Sequence, residues 1–211
     1  RLVILNAMDA ADKGATIKTR NEVVSAKREG QEWRLEVDDV RTGVRSTIRS
    51  RVLINASGPW VGHVISDRIA ISSTSRIRLV KGSHIIVPRM FDHDRAYIFQ
   101  NPDRRIIFAI PYEHDFTLVG TTDLDYSGRP EDVIADDEEV AYLCDAIGEY
   151  FSKPISPEDV VWSYSGVRPL YDDGSSEAQE ATRDFVLELD GDQENAVVLN
   201  IFGGKITTYR R

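Results

Sequence analysis

Four short segments carry the residue types that do chemistry. In Ser165-Gly166-Val167-Arg168-Pro169-Leu170 an arginine stands between a glycine and a proline, after an apolar stretch. The planar fork of Arg168 suits a carboxylate or a phosphate, although the same pattern also makes a surface arginine in a loop. Asn200-Ile201-Phe202-Gly203-Gly204-Lys205-Ile206-Thr207-Thr208 puts two glycines at a strand end. Exposed backbone N–H groups there hold an anion or the electron-rich edge of a cofactor ring, or the pair is a plain glycine turn. Ile54-Asn55-Ala56-Ser57-Gly58-Pro59-Trp60 follows a buried strand with small residues. It lets a ligand approach the backbone closely, or it is an ordinary strand-to-helix turn. In Val80-Lys81-Gly82-Ser83-His84-Ile85 an imidazole sits within an apolar strand, where a hydrogen-bonded core histidine is the commoner outcome. His63, His93 and His114 fall in helix or turn contexts and read as solvated. No two glycines are spaced G-x-G, so the pyrophosphate-binding fingerprint is absent. There is no Walker loop, no G-x-S-x-G elbow and no Cys/His cluster for a metal.

These segments need elements to position them. Ala15 to Lys27, the alternating Trp33–Val37 and the run from Ile48 to Ile54 predict three strands. Turns at Glu29-Gly30-Gln31 and Thr42-Gly43 join them into an antiparallel meander. Pro59 fits the first position of a helix carrying Trp60, Val61, Val64, Ile65 and Ile69. Further strands are expected at 76–80, 83–87, 96–100, 105–110 and 116–121, forming a second antiparallel sheet. Asp136 with Glu139 three residues on makes a capping box, and Val140, Leu143, Ile147 and Phe151 give the helix one apolar face. Val160 to Tyr164 reads as a strand that ends in a loop at Gly166 and Pro169. A hairpin is expected from 185–189 and 196–202 around Gly191-Asp192.

Composition limits the function. Among 211 residues, 26 basic stand against 35 acidic, a net charge of −9. That excess argues against nucleic-acid binding but not against a small anionic substrate held by a few local cations. The single cysteine, Cys144, excludes an internal disulfide, fits a reducing cytoplasm, and in its helical pattern reads as buried filler. No apolar run approaches the ~18 residues of a membrane span. The chain opens Arg1-Leu2-Val3-Ile4-Leu5-Asn6, with no initiator Met and no signal peptide, as expected of an internal piece of a longer protein.

Taken in order, N-A-S-G-P-W, K-G-S-H-I, G-T-T-D at Gly120 to Asp123, S-G-V-R-P-L and F-G-G-K-I-T-T-Y-R resemble the segments of FAD-dependent glycerol-3-phosphate dehydrogenases. That group lies within the wider glycine- and D-amino-acid-oxidase-like flavoprotein family. N-A-x-G-P-W is shared across the wider family, and the combination is more specific. The resemblance covers essentially the whole chain. It implies an α+β chain: an antiparallel-sheet substrate domain with a helix, plus incomplete parts of a glutathione-reductase-like FAD-binding domain. Residues 1–60 and 166–211 are expected to belong to the FAD-binding domain, and 61–165 to the substrate domain.

The resemblance implies that the parent enzyme oxidises sn-glycerol 3-phosphate to dihydroxyacetone phosphate, using FAD and passing electrons to a quinone. It also implies a cytoplasmic enzyme, peripheral on the inner face of the membrane. Arg168 is then the expected phosphate clamp, Lys205 the group that orients a substrate oxygen or stabilises charge near the flavin, and His84 the substrate contact or proton carrier. Gly203, Gly204 and Thr207 are expected beside the flavin ring, Ala56, Ser57 and Gly58 close to the cofactor, and Val23 on the adenine side. His84, Arg168 and Lys205 should share one cleft. Two other readings stand: a glycerol-3-phosphate oxidase or amine oxidase of the wider family, and a non-catalytic β-rich binding module in which these three residues are scattered.

Overall fold

The computed structural model describes residues 1–73, 75–174 and 181–204. The chain is α+β and mainly antiparallel, and it divides into two compact units: 1–54, 63–72 and 189–199 form one, and 55–62, 73–188 and 200–211 the other.

The first unit opens with helix α1 (Leu2–Asp12), which no capping side chain starts and of which no residue is buried. It was not expected from the sequence, because neither an N-cap nor an apolar stripe announces it. The expected meander follows: β1 (Asn21–Glu29), β2 (Glu32–Asp39) and β3 (Arg45–Ser50), in the order β1-β2-β3. Gly30, at φ 62°, closes the first turn between the paired Glu29 and Glu32. Asp39 Oδ1 accepts from the N–H groups of Arg41 and Thr42 to shape the second. Trp33, Leu35 and Val37 alternate inward and pack with Ala26, Ile69, Ala196 and Val198. The indole of Trp33 donates to the Val197 carbonyl at 2.8 Å and lies under the Arg28 guanidinium at 4.8 Å. The run expected as one strand to Ile54 is broken at Arg51, and β4 (Val52–Asn55) pairs elsewhere.

After β4, a 3-10 turn (Gly58–Trp60), α2 (Val61–His63) and a π-helical turn (Val64–Ile69) realise the helix expected after Pro59. In the second unit, β5 (Ile77–Pro88), β6 (Tyr97–Gln100), β7 (Ile106–Tyr112), β8 (Phe116–Gly120) and β10 (Trp162–Tyr171) pair in the order β10-β5-β8-β7-β6. The short β9 (Leu124–Asp125) pairs with β5. Helix α3 (Asp137–Gly148) starts on the expected capping box of Asp136 and Glu139. It covers one face of this sheet, packing Leu143, Cys144, Ala146 and Ile147 on Ile85, Val87, Ile107, Ala109 and Val119. β11 (Phe185–Asp190) and β12 (Val197–Gly203) are neighbours, as expected of the hairpin, in the order β11-β12-β4.

Two expectations are corrected. The strands expected at 76–80 and 83–87 are one strand, β5. The expected loop at Gly166–Pro169 is instead the second half of β10, paired with β5 from Trp162↔Ile86 to Tyr171↔Ile77. β10 is an edge strand, where a proline lacking an N–H is tolerated. The expected boundary at 165/166 therefore cuts through a continuous strand of the second unit.

Candidate functional site

The site is built on the face of the six-stranded sheet away from α3. Side chains alternate along a strand, so on β5 Lys81, Ser83, Ile85 and Val87 turn toward the helix, while Gly82 and His84 turn to the other face. On β10 the register pairs Tyr164 with His84, Gly166 with Gly82 and Arg168 with Val80. Tyr164 and Arg168 thus share the face of His84.

Arg168 lies across Gly82. A Cβ there would meet Arg168 Nη2 at 2.5 Å and Thr121 Oγ1 at 2.7 Å, so only glycine leaves room for the guanidinium. Arg168 Nη1 donates to Asp123 Oδ1 at 2.5 Å and to the Thr122 carbonyl at 3.4 Å, and Nη2 donates to Thr121 Oγ1 at 3.0 Å. Asp123 also accepts from Arg183 Nη2 at 3.4 Å. A guanidinium has five N–H donors, so three bonds leave Arg168 at least two for a ligand. These groups line a cavity of about 670 Å³ together with Arg104, Arg105 and Gly204. Among the described lining residues stand four arginines and one carboxylate; with Arg105 also paired to Asp103 at 3.7 Å, the cavity is still a local positive field in an acidic chain.

His84 is half-buried and stands one strand pairing from Gly120, which in turn pairs with Phe108 on the cavity wall. Its ring is parallel to that of Tyr164, at 4.9 Å between centroids and 4° between planes. Gly120 has no room for a Cβ, which would collide with the imidazole, Nε2 at 2.8 Å among its atoms. His84 Nδ1 is buried and has no hydrogen-bond partner among the described residues. Burial, and then the Arg168 cation, push the His84 pKa below its ordinary value of 6.5. The imidazole is therefore neutral at neutral pH, which leaves it free to accept a proton.

The other face fixes this arrangement. Lys81 Nζ pairs with Glu139 at 2.7 Å and Asp136 at 2.8 Å. Glu139 accepts from Thr122 Oγ1 at 2.7 Å, and the same oxygen accepts from Ser83 N at 2.8 Å. Ser83 and Ser165 join β5 to β10 through their hydroxyls at 2.6 Å.

The structure brings Arg168 and His84 to one sheet face; Arg168 lines the cavity, and His84 is not among its described lining residues. Lys205 and Thr207 lie outside the described residues. Gly203 is at φ 69°, and a Cβ there would meet the Asp184 carbonyl at 2.9 Å, so neighbouring backbone already requires glycine. Gly204, at φ 88°, lines the cavity. Asn55 is pinned through Nδ2 to the Val61 carbonyl and to Asn200 Oδ1, and it accepts from Ser57 Oγ at 2.6 Å. Ala56 is exposed, Ser57 and Gly58 half-exposed, and Gly58 takes φ 58°. These small residues and the buried, unpartnered Asn200 Nδ2 fit the edge of a planar cofactor, and the absence of any G-x-G leaves its pyrophosphate without a loop in this chain. Val23 lies in β1 of the first unit, partly exposed. His63, His93 and His114 are exposed, and Cys144 is buried, as expected. Sequence reasoning missed Tyr164, Arg104, Arg105, Arg183 and the role of Asp123. Only Asp123 carried a signal, its place in the G-T-T-D segment.

Comparison with known proteins places the chain in a family. Residues 1–210 match the family described as FAD dependent oxidoreductase. A D-erythritol 1-phosphate dehydrogenase of Brucella abortus is 52% identical over 210 residues, covering 100% of this chain and 42% of that protein. The aerobic glycerol-3-phosphate dehydrogenase of Escherichia coli is 44% identical over 211 residues, again 100% of this chain and 42% of that one. The chain thus spans about two fifths of the length of these relatives. Among solved structures, the glycerol-3-phosphate dehydrogenase from Bacillus halodurans complexed with FAD superposes with a TM-score of 0.77 at 26% identity, covering 96% of this chain and 38% of that one. With the whole length matched, the chain belongs to the FAD dependent oxidoreductase family.

Proposed function

We propose that this chain is the substrate-side portion of a flavoenzyme that oxidises sn-glycerol 3-phosphate to dihydroxyacetone phosphate. The observation that carries the reading is the shared sheet face, with Arg168 on a four-arginine cavity and a neutral His84 beside it. Arg168 binds the phosphate through its remaining donors, and His84 accepts the proton of the C2 hydroxyl. FAD, when bound, supplies the acceptor for the C2 hydride, and Gly204 with Ala56, Ser57 and Gly58 would lie against its ring. The six-stranded sheet under α3 is the substrate-binding part in this reading, and residues 1–60 with the β11–β12 return belong to the FAD-binding part. Lys205 and Thr207 complete the flavin side, and Val23 approaches the adenine. Electrons pass on to a quinone, with the enzyme peripheral on the cytoplasmic face of the membrane.

One observation favours a second substrate: the D-erythritol 1-phosphate dehydrogenase is more similar than the bacterial glycerol-3-phosphate dehydrogenases of Escherichia coli and Pseudomonas aeruginosa, at 52% against 44% and 46%. A polyol phosphate one carbon longer would use the same arginine and histidine. The deciding experiment is anaerobic flavin reduction in the intact enzyme by sn-glycerol 3-phosphate, D-erythritol 1-phosphate and glycerol. Faster reduction by the three-carbon phosphate supports the first reading, and faster reduction by the four-carbon one the second. Equal reduction by glycerol refutes both. Peroxide released per turnover in air separates an oxidase from a quinone-linked dehydrogenase.

A further inference from the structure

The reading above gives His84 a proton to carry, which requires its ring to be held in one orientation. A catalytic histidine is usually oriented by a hydrogen bond from its second ring nitrogen to a carboxylate or carbonyl. Here Nδ1 is buried and, among the described residues, has no hydrogen-bond partner, so none of them takes that part through a polar contact. What surrounds the ring is Tyr164, coplanar within 4° at 4.9 Å, and the bare backbone of Gly120. The three residues form one row across the sheet, since Tyr164 pairs with His84 and His84 with Gly120. Rotation of the imidazole would break the stack on one side or strike backbone on the other.

We infer that Tyr164 is a positioning residue, its ring fixing the plane of the His84 imidazole in place of a hydrogen-bonding partner. The inference rests on the proposed proton-transfer role of His84. The ring of Tyr164 also shields the imidazole from water. The ionisable groups around the imidazole are Arg168 and Tyr164 itself on β10 and Asp123 after β8, tied to Arg168, with Tyr112 of β7 acting on the Tyr164 phenol. None is a carboxylate paired with the ring. Stacking needs an aromatic face and no hydroxyl, so phenylalanine should serve.

The test uses the intact flavoenzyme with Tyr164→Phe, Tyr164→Leu and His84→Asn, reading kcat, KM and the pH profile of kcat/KM. The acid limb of that profile reports protonation of the free enzyme's base. In Y164F, kcat should stay within about twofold, with the limb unmoved. In Y164L, kcat should fall roughly tenfold to a hundredfold, the scale of a misplaced reacting group, with KM within about threefold. Its acid limb should move up toward the ordinary histidine value of 6.5, because water reaches the ring. If Y164L does not retain flavin, Y164M, which keeps apolar bulk without a planar face, gives the same readouts. A Y164L or Y164M enzyme with wild-type kcat and limb overturns the inference. A His84→Asn enzyme that keeps the limb overturns the proton-transfer reading itself, a failure told apart by involving no change at Tyr164.

Discussion

Replacing Glu139 tests whether the helix side of the sheet holds the site together. Glu139 is 3% exposed, pairs with Lys81, accepts from Thr122 and returns the capping-box bond to Asp136 N. Truncating one partner of a buried ion pair costs about 3–5 kcal/mol. Lys81 keeps Asp136 at 2.8 Å as a second partner, which holds the loss near about 3 kcal/mol, the low end of that range. The capping bond and the acceptor for Thr122 add about 1 kcal/mol each. Glu139→Ala should therefore lose about 4–5 kcal/mol, a fall of roughly 8–20 °C in Tm for a chain of this size. Glu139→Gln keeps one acceptor oxygen but turns an NH2 toward the donors at the other, and should lose about 2–3 kcal/mol. The pH dependence adds a second readout. Burial lowers the Lys81 pKa, but hydrogen bonds to Asp136 and Glu139 and their charges outweigh it, so the folded value lies above 10.5. The stability from that ammonium is thus fully present below pH 10.5 and is lost as pH rises through the folded value. Urea melts by circular dichroism at pH 7 and above about pH 11 should show this alkaline loss in wild type and a smaller one in E139A. A loss below about 1 kcal/mol in E139A, or equal losses in E139A and E139Q, would refute the reasoning.

Arg168→Ala in the intact enzyme should weaken substrate binding by about 2–5 kcal/mol. Arg168→Lys should recover only part, since the fork is lost, and unchanged kinetics in both would reject the clamp. Cys144 is buried, and burial, followed by the nearby Asp145, Asp159 and Glu158 charges, pushes its thiol up to about 11. Iodoacetamide at pH 8 should leave it unmodified by mass spectrometry until the chain is unfolded; fast labelling of native protein would contradict that burial. Trp33→Phe removes the bond to the Val197 carbonyl and should destabilise the first unit by about 1–3 kcal/mol in a urea melt; wild-type stability would deny that bond any weight. The 211-residue chain mixed with FAD should leave gel filtration without stoichiometric flavin, because no G-x-G-x-x-G offers backbone donors to the pyrophosphate. Yellow co-elution would refute this.

Local chemistry was legible in the sequence where it is local in cause. The capping box of Asp136 and Glu139 needs only three residues of spacing, and the Trp33–Val37 alternation only five. The chemistry-bearing segments were visible because glycine, proline and a lone cation are unusual neighbours. Their partners were not visible. Tyr164 meets His84 through strand pairing, and Asp123 meets Arg168 and Arg183 from a loop after β8, between residues 45 to 80 positions apart. The continuation of β10 through Pro169 depends on its place at the sheet edge, which pattern reading does not supply. Helix α1 opens on the continuous apolar run Leu2-Val3-Ile4-Leu5, which lies all round the helix rather than on one face, so its period could not be read.

The two jobs of β5 are interleaved residue by residue, with anchoring side chains at odd positions and Gly82 and His84 at even ones. A deletion or insertion of one residue between Ile77 and Gly82 would carry each side chain from there to the break onto the opposite face. Lys81, displaced this way, would bring its ammonium to the arginine side, adding a fifth cation and leaving Glu139 buried without its partner. Length in this strand is therefore under a stricter constraint than identity. Most single substitutions in β5 would disturb one of the two functions, whereas a frame change of one codon would undo both at once.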